Sequence, residues 1–288
     1  MNVQSRRLVV EFTKMNGAGN DFIVVDNRFY NFDASELSEL AVKVCERRIG
    51  IGADGILALA DPGEQDVDFR MIYFNADGSR ATMCGNGARC LSRFARLAGV
   101  GQEEMRFSSD AGMYTVLVPE QPDQNVILFV PPYRDYHSIT NPGSLPDLQH
   151  IRAEDIDYIW TGTEHLVCWV KDADLVDISI FGPLLRKKSL LAPAGANVNF
   201  ASRPKSPSDA IKVRTFEKGV EAETLACGTG ALAVSISATL RGLTSSNPVT
   251  ISMEGGILSI GYSGDIAAPA QLSLSGPADV VYRGTFEF

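Results

Sequence analysis

The chain has 288 residues, 45 % of them hydrophobic, and a formal net charge of −9. That length suits two domains of ordinary size, each able to bury its own core. The acidic balance argues against nucleic acid or an anionic membrane as partner, and no apolar run is long enough to span a bilayer. Residues Met1 to Arg7 lead into Leu8–Phe12 without a sustained apolar stretch, so no secretory signal and a cytoplasmic location are expected.

Strand-like runs open the first half at Leu8–Phe12 and Phe22–Asp26. A helix follows, with Leu37, Leu40, Ala41, Val44 and Cys45 on one face and Ser35 as its expected N-cap. Further strands are predicted at Ile56–Leu59, Asp68–Phe74, Met113–Val118 and Val126–Val130, with a helix at Gly85–Ala98 carrying Leu91, Phe94, Ala95 and Ala98 on one face. The segment Pro131 to Pro146 holds four prolines and reads as a connection. The second half offers a strand at Leu166–Val170, a weaker helix near Pro183–Leu190, and strands at Val198–Phe200 and Ile211–Phe216. A helix from Gly228 to about Leu240 comes next, then strands at Val249–Met253, Ile257–Tyr262, Leu272–Leu274 and Val280–Phe286. Many strands and about two helices per half predict a mixed sheet packed around a helix.

One motif occurs twice. Cys84-Gly-Asn-Gly-Ala-Arg and Cys227-Gly-Thr-Gly-Ala-Leu lie 143 residues apart, and eight of sixteen positions match when both are extended to Gly99 and Gly242. Unrelated segments share about one or two. The same offset aligns Gly19-Asn20-Asp21-Phe22 with Gly162-Thr163-Glu164-His165, and Gly52-Ala53-Asp54 with Gly195-Ala196-Asn197. Two homologous halves are therefore expected, each presenting a cysteine where a turn enters a helix. Glycines there let backbone approach a ligand closely. The amides of the first helical turn bind an anion, and the helix dipole favours a thiolate. Two such ends around one carboxylate place a sulfur on each side of its α-carbon. One sulfur then removes the α-proton while the other returns a proton to the opposite face, and the amides stabilise the charge that develops. A single cysteine beside glycine is more often a small buried residue; two copies at equivalent positions reverse that balance.

The remaining cysteines do not extend the pattern. Cys45 lies on an apolar helix stripe, Cys168 in an apolar strand, and Cys90 off the face of Cys84, so all three read as packing. Five scattered cysteines are no disulfide framework, and without a Cys-x2-Cys pair no zinc site is expected. A Schiff-base lysine would make the paired thiols redundant, so no cofactor is expected either.

The chain resembles the diaminopimelate epimerases. The matching segments are Gly17-Ala-Gly-Asn-Asp-Phe, Gly50-Ile-Gly-Ala-Asp-Gly, Phe74-Asn-Ala-Asp-Gly-Ser, Cys84-Gly-Asn-Gly-Ala-Arg-Cys, Gly195-Ala-Asn-Val-Asn-Phe and Glu221-Ala-Glu-Thr-Leu-Ala-Cys-Gly-Thr-Gly. They cover essentially the whole chain in family order. The resemblance implies an α/β (mixed α+β) fold of two pseudo-symmetric domains, each a mixed sheet around a central helix, with the active site in the cleft between them. It implies a first domain of residues 1–130 plus 277–288, because the last strand returns to it, and a second of residues 131–276. Cys84 and Cys227 become the base and acid that interconvert LL- and meso-2,6-diaminopimelate in lysine biosynthesis. The family's thiol-assisting histidine and glutamate map onto His165 and Glu217. Its substrate-binding asparagines map onto Asn20, Asn75 and Asn197, and its carboxylate-holding amides onto Gly85, Asn86, Gly228 and Thr229. A homodimer is implied as well.

From the residues alone, His165 reads as a structural histidine, its repeat partner being Phe22, and Glu217 as a solvated strand end. Three departures fall near the family's distal substrate group. Thr163-Glu164 stands where many members have Asn-Pro, Lys218 where many have arginine, and Gly55 where some have glutamine. Lysine keeps the charge without arginine's planar fork. These departures leave a same-fold racemase of another amino acid, such as histidine, as the alternative. A thiol redox sensor is a more distant one, since a sensor has no need of two helix ends aimed at an anion.

Overall fold

The computed structural model describes residues 8–139, 153–188 and 191–288. The chain forms two compact units, Met1–Leu128 with Gly276–Phe288, and Phe129–Ser275. The expectations for Met1 to Arg7, for the later part of the proline-rich connection and for Ser189 and Leu190 lie outside the described residues.

The first unit runs β1 (Val9–Gly17), β2 (Asn20–Asp26), α1 (Asn27–Tyr30), α2 (Ala34–Cys45), β3 (Gly55–Ala60), β4 (Phe69–Asn75), β5 (Arg80–Ala81), α3 (Gly85–Leu97), β6 (Glu104–Ser109) and β7 (Gly112–Leu117), and β8 (Val126–Val130) begins at its end. β1 and β2 form an antiparallel hairpin whose turn needs the left-handed backbone of Ala18 (φ 56) and Gly19 (φ 92). After α2 the chain returns as β3, parallel to β2; β4 pairs antiparallel with β3 and β5, and parallel with β6. Side chains alternate across this sheet. Ile23, Val25, Ile56 and Ala58 pack with Leu37, Leu40, Ala41 and Val44 of α2, while Phe22 and Leu57 meet Gly87 of α3.

Two helix expectations need correction here. The N-cap of α2 is Asp33, whose carboxylate accepts from the amides of Ser35 and Glu36 while Glu36 accepts in return from Asp33 N. That reciprocal box needs a glutamate three residues on, which Ser35 lacks. Helix α3 is also not one-faced: nine of its 13 residues are buried, Arg89, Ser92 and Arg93 among them. It is the central helix that the sheet wraps.

The second unit runs β9 (Arg134–Ile139), β10 (Asp155–Trp160), β11 (Glu164–Val170), α4 (Ile178–Arg186), β12 (Asn197–Ser202), β13 (Ile211–Glu217), β14 (Ala222–Thr224), α5 (Gly228–Leu240), β15 (Val249–Met253), β16 (Gly256–Asp265) and β17 (Ala268–Gly276). Its pairings repeat those of the first: β10 antiparallel to β11, β11 parallel to β12, β12 antiparallel to β13, and β13 antiparallel to β14 and parallel to β15. Each first strand also carries an antiparallel partner, β9 on β10 and the C-terminal β18 (Asp279–Glu287) on β1. Helix α4 starts at Ile178, earlier than expected, with Pro183 in its interior. Its apolar residues close over the sheet, Gly182 lying flat against the Phe216 ring, and that burial outweighs the proline's lost hydrogen bond.

Strand register refines the repeat. Phe22 pairs with Gly55 in the first unit, and its counterpart His165 pairs with Asn197 in the second. Ile56 faces Phe74, and Val198 faces Phe216. The ladder therefore matches Asn197 with Gly55 rather than Asp54, and Glu217 with Asn75.

Candidate active site

In the first unit, Cys84 is the N-cap of α3 in extended backbone (φ −142), and its Sγ accepts from Gly87 N at 3.4 Å. Gly85 and Asn86 open the helix, where amides have no intrahelical acceptor. The Asn86 side chain donates to Asn20 Oδ1 at 2.5 Å, and Asn20 donates to Asp54 Oδ2 at 3.0 Å. Asp54 also accepts from Arg47, which binds Asp21 together with Lys14. Burial works against the Asp21 carboxyl, yet Arg47 and Lys14 override it and hold it below the usual carboxylate range. Asn75 ends β4 and donates to Ser79 Oγ at 3.0 Å.

In the second unit, Cys227 caps α5 in the same extended conformation (φ −125), is nearly buried, and has its Sγ 3.5 Å from Thr229 Oγ1. Thr161 Oγ1 donates to the Thr229 carbonyl at 2.9 Å, tying the first turn of α5 to the β10–β11 hairpin. A Cβ on Gly230 would lie 2.3 Å from Asn199 Oδ1, so only glycine lets the helix settle this close. Glu217, half-buried at the end of β13, accepts from Thr224 Oγ1 at 2.9 Å.

His165 is wholly buried on β11. Burial drives its pKa down to about 3, against the pull of the Glu164 charge, so the ring is neutral. Asn199 Nδ2 donates to the Leu166 carbonyl at 2.9 Å and lies 3.1 Å from His165 Nδ1, while Asn199 Oδ1 accepts from Thr215. The Asn197 atom facing the ring is likewise an amide nitrogen, so each ring nitrogen meets an N–H donor and the neutral ring accepts from one of them. Asn197 lies on the Nε2 side at 3.4 Å and accepts from Lys218 N through Oδ1 at 2.7 Å.

The Lys218 ammonium is held by Glu164 Oε2 at 2.9 Å, and Thr163 Oγ1 donates to the same oxygen at 3.1 Å. Burial raises the Glu164 carboxyl, but Lys218 and Thr163 prevail and it sits below its ordinary range. The two departures at Glu164 and Lys218 therefore form one ion pair. The third is steric: a Cβ at Gly55 would lie 2.4 Å from the Phe74 carbonyl, leaving no room for a side chain.

The structure thus gathers Cys84, Gly85, Asn86 and Asn20 in one unit, with Asn75 at a neighbouring strand end. In the other it gathers His165, Asn197 and Lys218, and sets Thr229 beside Cys227. Sequence reasoning missed Arg89, Asp54 and Asn199. Arg89 lies inside the repeated motif, and Asn199 is two residues from Asn197, the same-face spacing of a strand. Cys45, Cys90 and Cys168 are buried, and burial pushes each thiol up to about 12. Among the described residues, no three His, Cys, Asp or Glu side chains gather in metal-ligating geometry, and no helix is long and apolar enough to cross a membrane.

A family model described as diaminopimelate epimerase matches residues 12–129 and 158–281. The diaminopimelate epimerase of Chlorobaculum tepidum is 38 % identical over 272 residues, covering 94 % of this chain and 99 % of that protein. That of Aquifex aeolicus is 37 % identical, covering 96 % and 97 %. Among solved structures, a Bacillus anthracis phenazine biosynthesis protein of the PhzF family superposes with a TM-score of 0.74 at 14 % identity, covering 97 % of this chain and 99 % of that one. An Agrobacterium vitis hydroxyproline epimerase superposes at 0.65 and 14 % identity, covering 99 % and 93 %. These last two likenesses speak to the fold.

Proposed function

The chain belongs to the diaminopimelate epimerase family, and from that premise we propose that it interconverts LL- and meso-2,6-diaminopimelate in lysine biosynthesis by two-thiol acid–base catalysis. The observation that carries the mechanism is the repeated geometry of Cys84 and Cys227, each the extended N-cap of a central helix. One thiolate takes the α-proton, and the electron pair left on carbon delocalises into the α-carboxylate. The amides of Gly85, Asn86, Gly228 and Thr229 receive that charge. The second thiol gives its proton to the opposite face, which inverts the centre and leaves the two sulfurs with exchanged protonation states. Asn20, Asn75 and Asn197 hold the substrate, while His165 and Glu217 support the thiols. A neutral His165 does so as a hydrogen-bonding group and not as a cation.

The test is the first turnover in deuterated water. Product inverted at one carbon should carry deuterium there, and Cys84→Ala or Cys227→Ala should lose inversion by several orders of magnitude, as for members of one catalytic unit. Near-normal epimerisation by either variant would falsify the mechanism.

The Glu164–Lys218 pair favours a second reading, because a lysine already neutralised is a poorer receptor for a second carboxylate. A same-fold racemase of an amino acid such as histidine would then be the activity. The comparison of kcat/KM for LL-diaminopimelate with histidine, lysine and glutamate decides between them. We further propose a cytoplasmic homodimer. Val280, Val281 and Tyr282 are exposed apolar residues on β18, the kind of surface that association covers. Sedimentation velocity at micromolar concentration reads this directly.

A further inference from the structure

Arg89 stands one helical turn beyond Gly85 on α3, and its side chain is wholly buried. Arginine is almost never buried unless paired, because an unpaired cation forfeits its hydration. Yet its partners are neutral: Asn86 Oδ1 at 2.9 Å, the Gly85 carbonyl at 3.4 Å and the Pro277 carbonyl at 3.4 Å. Among the described residues no carboxylate bonds to it. Asp21 and Asp54, from β2 and the loop before β3, are held by Lys14 and Arg47. Asp279 of β18 acts on Cys90 and on Arg93, one turn further along α3. Two sulfurs feel the Arg89 charge, those of Cys90 and Cys84. Cys90 is wholly buried, and desolvation pushes it to about 12, so it stays a thiol. Cys84 is half-buried and opens the helix.

We propose that Arg89 is a positioning residue for Cys84: its buried charge is balanced by the Cys84 thiolate, and its fork on Asn86 and Gly85 fixes the first turn of α3. Through Asn86 the same fork reaches Asn20, so one guanidinium sets both the ionisation of the thiol and the orientation of the amide beside it. Arg89 gives up no proton in this role. The inference rests on the reading of Cys84 as an acid–base thiol.

The test contains no substrate, so its outcome is independent of whether diaminopimelate is epimerised. Alkylation of each cysteine by iodoacetamide is followed from pH 5 to 9 by peptide mass spectrometry, in the wild type, Arg89→Gln and Arg89→Lys, with a thermal melt of each. In Arg89→Gln, alkylation of Cys84 at pH 7 should slow about tenfold as its midpoint rises, while the Cys227 profile stays put. Arg89→Lys keeps the charge and should recover the Cys84 midpoint. A folded Arg89→Gln with the wild-type profile at Cys84, or with equal slowing at both cysteines, overturns the proposal. Should Arg89→Gln fail to fold, the wild type still decides: a Cys84 midpoint at or above the value of about 8.5 for a free cysteine overturns it.

Discussion

His165 is neutral because β11 and its neighbours exclude water from it, and that has a price in acid. The folded ring resists protonation down to about 3, whereas the unfolded ring takes up a proton through about 6.5. Between those values the unfolded chain holds the extra proton, so folded stability falls as pH drops through that window. Replacing His165 by phenylalanine, the residue at the equivalent place in the first unit, should remove one proton's share of that slope, ~1.4 kcal/mol per pH unit. Urea midpoints of wild type and variant at pH 4 and 6.5 measure it; parallel slopes would mean a charged, hydrated histidine. Lys218 offers a second test. Its side chain and that of Glu164 are 29 % and 23 % exposed, so the pair contributes no more than about 1 kcal/mol. If Lys218 meets the second carboxylate of diaminopimelate, Glu164→Gln frees it and KM should fall, by up to roughly fivefold, while KM for histidine stays unchanged. An unchanged or higher KM for diaminopimelate would leave Lys218 a purely structural partner. The sequence points to the two cysteines through the repeated motif and to the asparagines through the family resemblance. Asn199 and Arg89 carry no such signal: only strand pairing sets Asn199 beside His165, and the counterpart of Arg89 in the second copy of the motif is Leu232, so the repeat does not single it out.

At the scale of elements, the two central helices bring each cysteine to its place by lying unusually close to the sheet. Gly230→Ala puts a methyl group onto Asn199 Oδ1 and should cost roughly 1–3 kcal/mol by overpacking. It should also displace Cys227, so that kcat falls by more than the loss of folded protein explains; a thermal melt beside a kcat measurement separates the two. Helices α2, α3 and α5 were legible from periodicity and from the motif. Strand β10 was not, because Asp155 and Asp157 gave it a polar look. Asp157 is in fact fully buried, bound by Arg241, Ser237 and Ser138, and a pattern of hydrophobicity cannot register a satisfied charge. Strands β6 and β9 escaped for a similar reason, since charged and hydroxyl side chains interrupt their alternation.

Across the whole molecule, the repeat's constant offset of 143 residues hides a one-residue slip at β3 that only pairing register exposes. The first unit is completed by the far end of the chain. β18 lies along β1, and Phe286 and Phe288 pack against its core. Deleting residues 279–288 should therefore open the first unit to proteolysis while the second keeps its protected fragment, and both should not melt together; cleavage mapping by mass spectrometry distinguishes these outcomes. A ribosome delivers this chain from its N-terminus at about 5–20 residues per second. The second unit is contiguous, so it can close while synthesis is still under way. The first must wait, with β1 unpaired on one side, until β18 has been made. The half begun first is closed only after the second has been made, and during that interval β1 presents an unpaired edge on which another chain could pair.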